Sequence, residues 1–169
     1  MSGVDVGKEA RMSQKDDALD RTVAEIQEAI LDDARKVYSE RVIDHFLHPR
    51  NVGGIEDADG FAKATGPCGD TMYLSLKVKG GTIVDARFMT DGCATTIACG
   101  SITTELVRGK SVEDAMKISS SEILGALDGL PEASRHCSVL AANTLHEAIG
   151  NYRSSTEAKG EREDKNSDA

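Results

Sequence analysis

No stretch of this 169-residue chain approaches the run of about eighteen apolar residues that a membrane span needs, and no short apolar segment follows a basic start. These absences predict a soluble, unexported protein. Basic residues are in the minority, 20 Lys and Arg against 29 Asp and Glu, for a net charge of −9. Nucleic-acid binders carry a basic stripe, so nucleic acid is excluded as an expected partner. The first twenty residues include Asp5, Glu9, Asp16, Asp17 and Asp20, whereas organelle transit peptides avoid acids, which leaves the cytoplasm as the expected compartment. No C-x-x-C occurs among the four cysteines, whose spacings are 25, 6 and 38 residues. Zinc-ribbon and thioredoxin motifs are thereby excluded, and in a reducing compartment these thiols read as ligands or reactive groups rather than disulfides. No internal repeat is present, and the length suits one domain with a real core.

What is there centres on Gly66-Pro67-Cys68-Gly69-Asp70, a turn that sets a thiol and a carboxylate two positions apart. Cys93 and Cys137 follow at wide spacing, each where a helix is expected to start, and His136 adjoins Cys137. These five side chains are expected to converge on one site.

Residues 1–12 are small, charged and aperiodic, and read as disordered. Ser13 and Asp16 are spaced as a capping box, after which Leu19, Val23, Ile26, Ile30, Ala34 and Val37 recur at three- and four-residue steps. That predicts an amphipathic helix, which packs on its own domain or self-associates more readily than it serves a dedicated partner. Ser39 caps a second helix over 40–47, closed by Pro49-Arg50-Asn51; His45 and His48 there read as packing or surface residues, not ligands. Met72, Leu74, Leu76 and Val78 alternate with polar residues, Gly80-Gly81 makes a two-residue turn, and Val84, Ala86 and Phe88 return antiparallel. Residues 61–65 add a third strand. A helix then follows Cys93, with Thr95, Ala98, Ile102 and Leu106 on one stripe and Gly109 as its stop. Ser111 with Asp114 and Ser119 with Glu122 cap two short helices. A last helix spans 138–152, and the polar stretch 154–169 reads as a disordered tail. The expected architecture is α+β: a small three-stranded antiparallel sheet with helices packed on one face, plus an extra N-terminal helix. Its expected divisions are an extension over 1–37, a domain over 38–153 and the tail.

Helix-start positions favour thiolates at Cys93 and Cys137, and a protonated His136 would lower the Cys137 pKa further. Three thiolates from three loops suit iron-sulfur or zinc rather than magnesium or calcium. Taken alone, Asp70 reads as a turn-former bonding its own backbone. As the fourth donor it would hold iron less firmly than a fourth thiolate, describing a site that loads and unloads. Cys99 lies on the apolar stripe and reads as core.

Beside these residues the chain resembles the IscU and NifU-type iron-sulfur cluster assembly scaffolds. The resemblance rests on Tyr38-Ser39-Glu40, Asp44-His45-Phe46, His48-Pro49-Arg50-Asn51-Val52-Gly53, Pro67-Cys68-Gly69-Asp70, Asp85-Ala86-Arg87-Phe88, Asp91-Gly92-Cys93, Gly109-Lys110-Ser111 and His136-Cys137-Ser138. It implies a non-enzymatic scaffold that receives persulfide sulfur from a PLP-dependent cysteine desulfurase, builds a [2Fe-2S] cluster with iron, and passes it to apo-proteins. Cys68, Cys93 and Cys137 would be cluster ligands, with Cys137 the first persulfide acceptor, Asp70 the group that keeps the cluster labile, and His136 an alternative ligand. Zinc would fit in place of the cluster, and a homodimer bridged by one cluster fits as well. Where many bacterial members have a Leu-Pro-Pro-Val-Lys motif, this chain has Leu130-Pro131-Glu132-Ala133-Ser134, which argues against an Hsp70-type chaperone. The rival readings are a structural zinc module, a zinc-bound sulfur relay fed by a desulfurase, and a thiol enzyme with Cys137 as nucleophile.

Overall fold

The structure is a computed structural model that describes the backbone of residues 6–167 and the side chains of residues 18–158. It divides into two compact units, one ending at Val37 and the other beginning at Tyr38.

The first unit is one helix, α1 (Val6–Arg35). It is helical well before Ser13, so the expected start at Ser13 and the expected disorder of 6–12 are both overturned; residues 1–5 lie outside the described residues. A cap signal inside a run of good helix formers does not stop propagation once a turn exists. Within this helix Leu19, Val23, Ile26 and Ile30 are all exposed, by 43% to 63%. Arg35 bonds Asp32, and Lys36 bonds Asp33, on the charged side.

The second unit begins with α2 (Glu40–Leu47), whose first turn is closed by the Ser39 hydroxyl accepting the Val42 N–H at 3.1 Å. His45 is buried and lies 2.8 Å from the Ser101 hydroxyl, while His48 is exposed; neither joins the thiols. Burial holds the His45 pKa below its ordinary value, so this histidine is a neutral packing group at pH 7.

The sheet has the order β1 (Gly60–Thr65), β2 (Thr71–Lys79), β3 (Thr82–Thr90), all antiparallel. Gly80 and Gly81 both have positive φ, +56° and +76°, the backbone of a primed two-residue turn. One register detail departs from simple alternation. Lys77 pairs with Asp85 but Val78 pairs with Ile83, leaving Val84 as the extra residue of a β-bulge. Ile83 and Ala86 therefore face the core, and Val84, expected inside, is 40% exposed.

Helices α3 (Ala94–Val107) and α6 (His136–Ser167) pack on the inner face against Ala62, Met72, Leu74, Leu76, Ala86 and Phe88. Two glycines permit the close approach. A Cβ on Gly100 of α3 would lie 2.3 Å from the Phe88 ring, and one on Gly60 would lie 2.5 Å from the Ala148 carbonyl oxygen of α6. Short helices α4 (Val112–Ala115) and α5 (Ser120–Ala126) connect α3 to α6. Ser119 and Glu122 form the full capping box, and Ser111 caps α4 by accepting the Asp114 N–H.

α6 starts at His136, two residues ahead of the expected start, so Cys137 lies inside its first turn. It also continues helical to Ser167 through the stretch that its polar composition marks as disordered. Glu and Lys recur there, and such residues extend a helix already nucleated by a packed segment.

Candidate metal centre

Cys68 sits at the tip of the β1–β2 hairpin. The Gly69 N–H bonds the Gly66 carbonyl at 3.0 Å and Gly69 has φ +90°, so Pro67-Cys68 form a tight turn followed by a left-handed glycine. The Gly66 N–H then bonds the Asp70 carbonyl at 2.8 Å, which returns the chain to β2. Cys68 is exposed.

Cys93 is the N-cap of α3, reached from β3 through Asp91 and Gly92. This loop is tied to the base of the hairpin. The Asp91 carboxylate accepts the Thr71 N–H at 2.7 Å, and the Thr90 hydroxyl donates to the Thr71 carbonyl at 2.6 Å. Between them stands Gly92, where a Cβ would lie 2.6 Å from Asp70 Oδ2 and 2.7 Å from Thr96 Cβ. Only a residue without a side chain lets the Asp70 carboxylate reach α3.

That reach decides the role of Asp70. Its Oδ2 accepts the Thr96 hydroxyl proton at 2.6 Å and the Cys93 N–H at 3.3 Å, so it caps the start of α3 rather than its own turn. The Thr96 hydrogen bond above all, helped by the Cys93 N–H and the Cys68 and Cys93 thiols, holds the Asp70 pKa below the usual carboxylate value. Asp70 is therefore ionised near neutral pH and available as an oxygen donor.

Asp70, Cys93 and Cys137 each offer one ligand atom, and those atoms lie within 4.8 Å of one another. Cys68 lies two positions before Asp70 on the hairpin tip and is not among these three residues. His136 Nε2 is 3.6 Å from Cys137 Sγ. The group the structure brings together among the described residues thus holds three of the five expected side chains, and Cys68 and His136 stand outside it. Cys99 is fully buried and burial pushes its thiol pKa well up, as befits a core residue.

The two helix-start cysteines differ in one respect that the sequence did not anticipate. Burial acts to raise the Cys93 pKa, but hydrogen bonding with Thr95 and Thr96, through side chains and backbone N–H groups alike, outweighs it and leaves the thiol more acidic than usual. At Cys137 burial wins over the same two hydroxyls and the pKa is raised. The expectation that helix position and His136 would acidify Cys137 is thus corrected: its sulfur is sealed from water, which a helix dipole at the first turn does not offset. Brief treatment of native protein with iodoacetamide at neutral pH is expected to label Cys68 and Cys93 and to spare Cys99 and Cys137. Peptide mapping reads the pattern, and labelling of Cys137 at the rate of Cys93 would show the first turn of α6 open in solution.

Sequence reading missed the parts played by Thr95 and Thr96. Thr95 Oγ1 lies 3.0 Å from Cys93 Sγ and 3.3 Å from Cys137 Sγ; Thr96 Oγ1 lies 3.3 Å from Cys137 Sγ. The one available signal is the pair of hydroxyl residues in the turn that follows Cys93.

Fold and site together define a small α+β protein that gathers two thiols and one carboxylate in a group able to hold a metal ion. The chain belongs to the NifU-like N-terminal domain family, whose model matches residues 37–159. It is 50% identical over 117 residues to the iron-sulfur cluster assembly scaffold protein IscU 1 of Archaeoglobus fulgidus, covering 69% of this chain and 76% of that one. It is 46% identical over 127 residues to the scaffold protein IscU of Escherichia coli K12, covering 72% and 98%. Among solved structures, the putative iron-sulfur cluster assembly scaffold for the SUF system of Fervidobacterium islandicum superposes with a TM-score of 0.58 at 26% identity, covering 66% of this chain and 96% of that one. The N-terminal NifU-like protein of Brucella abortus shares the fold, with a TM-score of 0.57 at 20% identity over 70% and 95%. Among the described residues no helix is long and apolar enough to cross a membrane.

Proposed function

We propose that this chain is an iron-sulfur cluster assembly scaffold, building a [2Fe-2S] cluster from iron and persulfide sulfur and passing it to apo-proteins. The observation that carries this reading is the gathering of Asp70, Cys93 and Cys137 donors within 4.8 Å at loop and helix ends, beside an exposed Cys68. Soft thiolates suit iron and sulfide, and one hard oxygen among them weakens the hold enough to let the cargo leave. Cys68, Cys93 and Cys137 serve as ligands, Asp70 as the labile fourth donor and His136 as its alternative. The NifU-like unit, residues 38–153, carries the assembly site; residues 1–37 and 154–169 are appended to it.

Sulfur arrives from a PLP-dependent cysteine desulfurase. A scaffold thiolate attacks the outer sulfur of the desulfurase persulfide, a new S–S bond forms, and the desulfurase cysteine leaves as thiolate. Two electrons from a reductant then release sulfide. The resemblance gives first uptake to Cys137, which calls for the first turn of α6 to open; in the closed form Cys93, exposed and acidified, meets the chemical need. Free thiols fit a reducing compartment, the cytoplasm.

Zinc would occupy the same donors, and a zinc-bound sulfur relay is the second reading; the relatives named as scaffolds favour assembly over it. The buried core draws on all three strands and on helices α3, α5 and α6 well beyond the donor residues, so chelator-treated protein is expected to keep its far-UV circular dichroism, against the behaviour of a structural zinc module. Anaerobic incubation of that protein with ferrous iron, cysteine and a desulfurase tests the function. Visible charge-transfer bands should appear, then move to an added apo-ferredoxin. Absence of bands alongside tight stoichiometric zinc binding would overturn the scaffold reading.

A further inference from the structure

One buried hydroxyl at the site has more to do than one proton allows. Thr96 is fully buried on the first turn of α3, and its Oγ1 stands 2.6 Å from Asp70 Oδ2, 3.3 Å from Cys137 Sγ and 3.5 Å from Cys93 Sγ. A hydroxyl donates once. The short distance and the formal charge give that proton to the carboxylate, since hydrogen bonds to ionised acceptors are the stronger ones. An oxygen of the same carboxylate stands within 4.8 Å of the two sulfurs.

The geometry points to Thr96 as a positioning residue that meters the metal affinity of Asp70. In metal-free protein Thr96 parks the carboxylate against α3. When Asp70 turns to a metal it gives up this bond, so the bond opposes loading and recaptures the carboxylate as metal leaves. Gly92 supports the arrangement from behind, because a side chain there would separate the two partners. Thr95 has no such role: its hydroxyl faces the two sulfurs. The inference rests on the scaffold reading for its biological meaning, though not for its test.

Cobalt(II) binding to metal-stripped protein, followed by thiolate-to-metal absorbance, measures the effect. Thr96→Val keeps the shape and removes the proton. It is expected to bind cobalt about tenfold more tightly than wild type, the scale on which a hydrogen bond to a charged group acts. Thr96→Ser restores the hydroxyl and should return the affinity to the wild-type value. In an Asp70→Ala background Thr96→Val should change nothing, because the effect travels through the carboxylate. If Thr96→Val does not fold, Thr96→Ala serves as the hydroxyl-free variant. Unchanged or weaker binding would overturn the proposal, and so would tightening that persists without Asp70. Failure of wild-type protein to assemble a cluster would sink the scaffold reading and leave the cobalt result standing.

Discussion

Replacing Cys93 by serine is expected to abolish the charge-transfer absorbance of reconstituted protein. Cys93 is exposed and its pKa lies below the ordinary thiol value, so it reaches the thiolate form that binds metal more readily than an ordinary cysteine. Serine puts a hard, protonated oxygen at the N-cap of α3, where its hydroxyl still suits the helix but no longer suits iron. The fold should therefore survive while the cluster is lost, which circular dichroism and visible absorbance report separately. Cys99→Ala is the matched control. Its sulfur is buried in the core outside the donor group, so it should lose some stability and keep the bands. Assembly that proceeds normally in Cys93→Ser would remove this residue from the ligand set. Cys137→Ser should fail in the same way, and intact persulfide uptake in that variant would move first acceptance to Cys68 or Cys93.

Asp70→Ala should act in the opposite sense, leaving a cluster that forms but leaves slowly. Transfer to apo-ferredoxin is expected to slow on the order of tenfold, the scale of changes around a metal ligand. Asp70 brings the one hard donor to the group and exchanges between two partners, the Thr96 hydroxyl and the metal. Without it, His136, already 3.6 Å from Cys137, is the remaining side chain able to complete the set, and a histidine nitrogen holds iron more firmly than a half-buried carboxylate oxygen. Anaerobic transfer kinetics check this. A cluster lost faster from Asp70→Ala than from wild type would show the carboxylate to be a holding ligand rather than a releasing one.

The two variants separate two properties that a scaffold must combine. Thiolates supply affinity, and one oxygen donor with an alternative partner supplies release. The hairpin tip, the β3–α3 loop and the first turn of α6 bring these groups to one end of the sheet.

Much of this was legible along the chain because it depends on near neighbours. Alternation over Met72–Val78, the Gly80-Gly81 turn, the Ser39 and Ser119 caps and the Cys68 turn are each decided within a few residues, where backbone sterics and side-chain period dominate. The five candidate residues were legible as residue types at turns and helix starts, three of which the fold groups together. Three things only the tertiary structure decided. The bulge at Val84 turns on pairing between strands, which alternation along one strand does not contain. The raised pKa of Cys137 follows from burial, a property of what packs over a residue and not of the helix that carries it. Thr96 gained its place beside Asp70 and Cys137 from contacts spanning 26 and 41 positions, made where α3 meets the hairpin and α6. The chain alone determined which groups can bind metal; folding determined which of them are exposed, which are sealed, and which hydroxyl stands between.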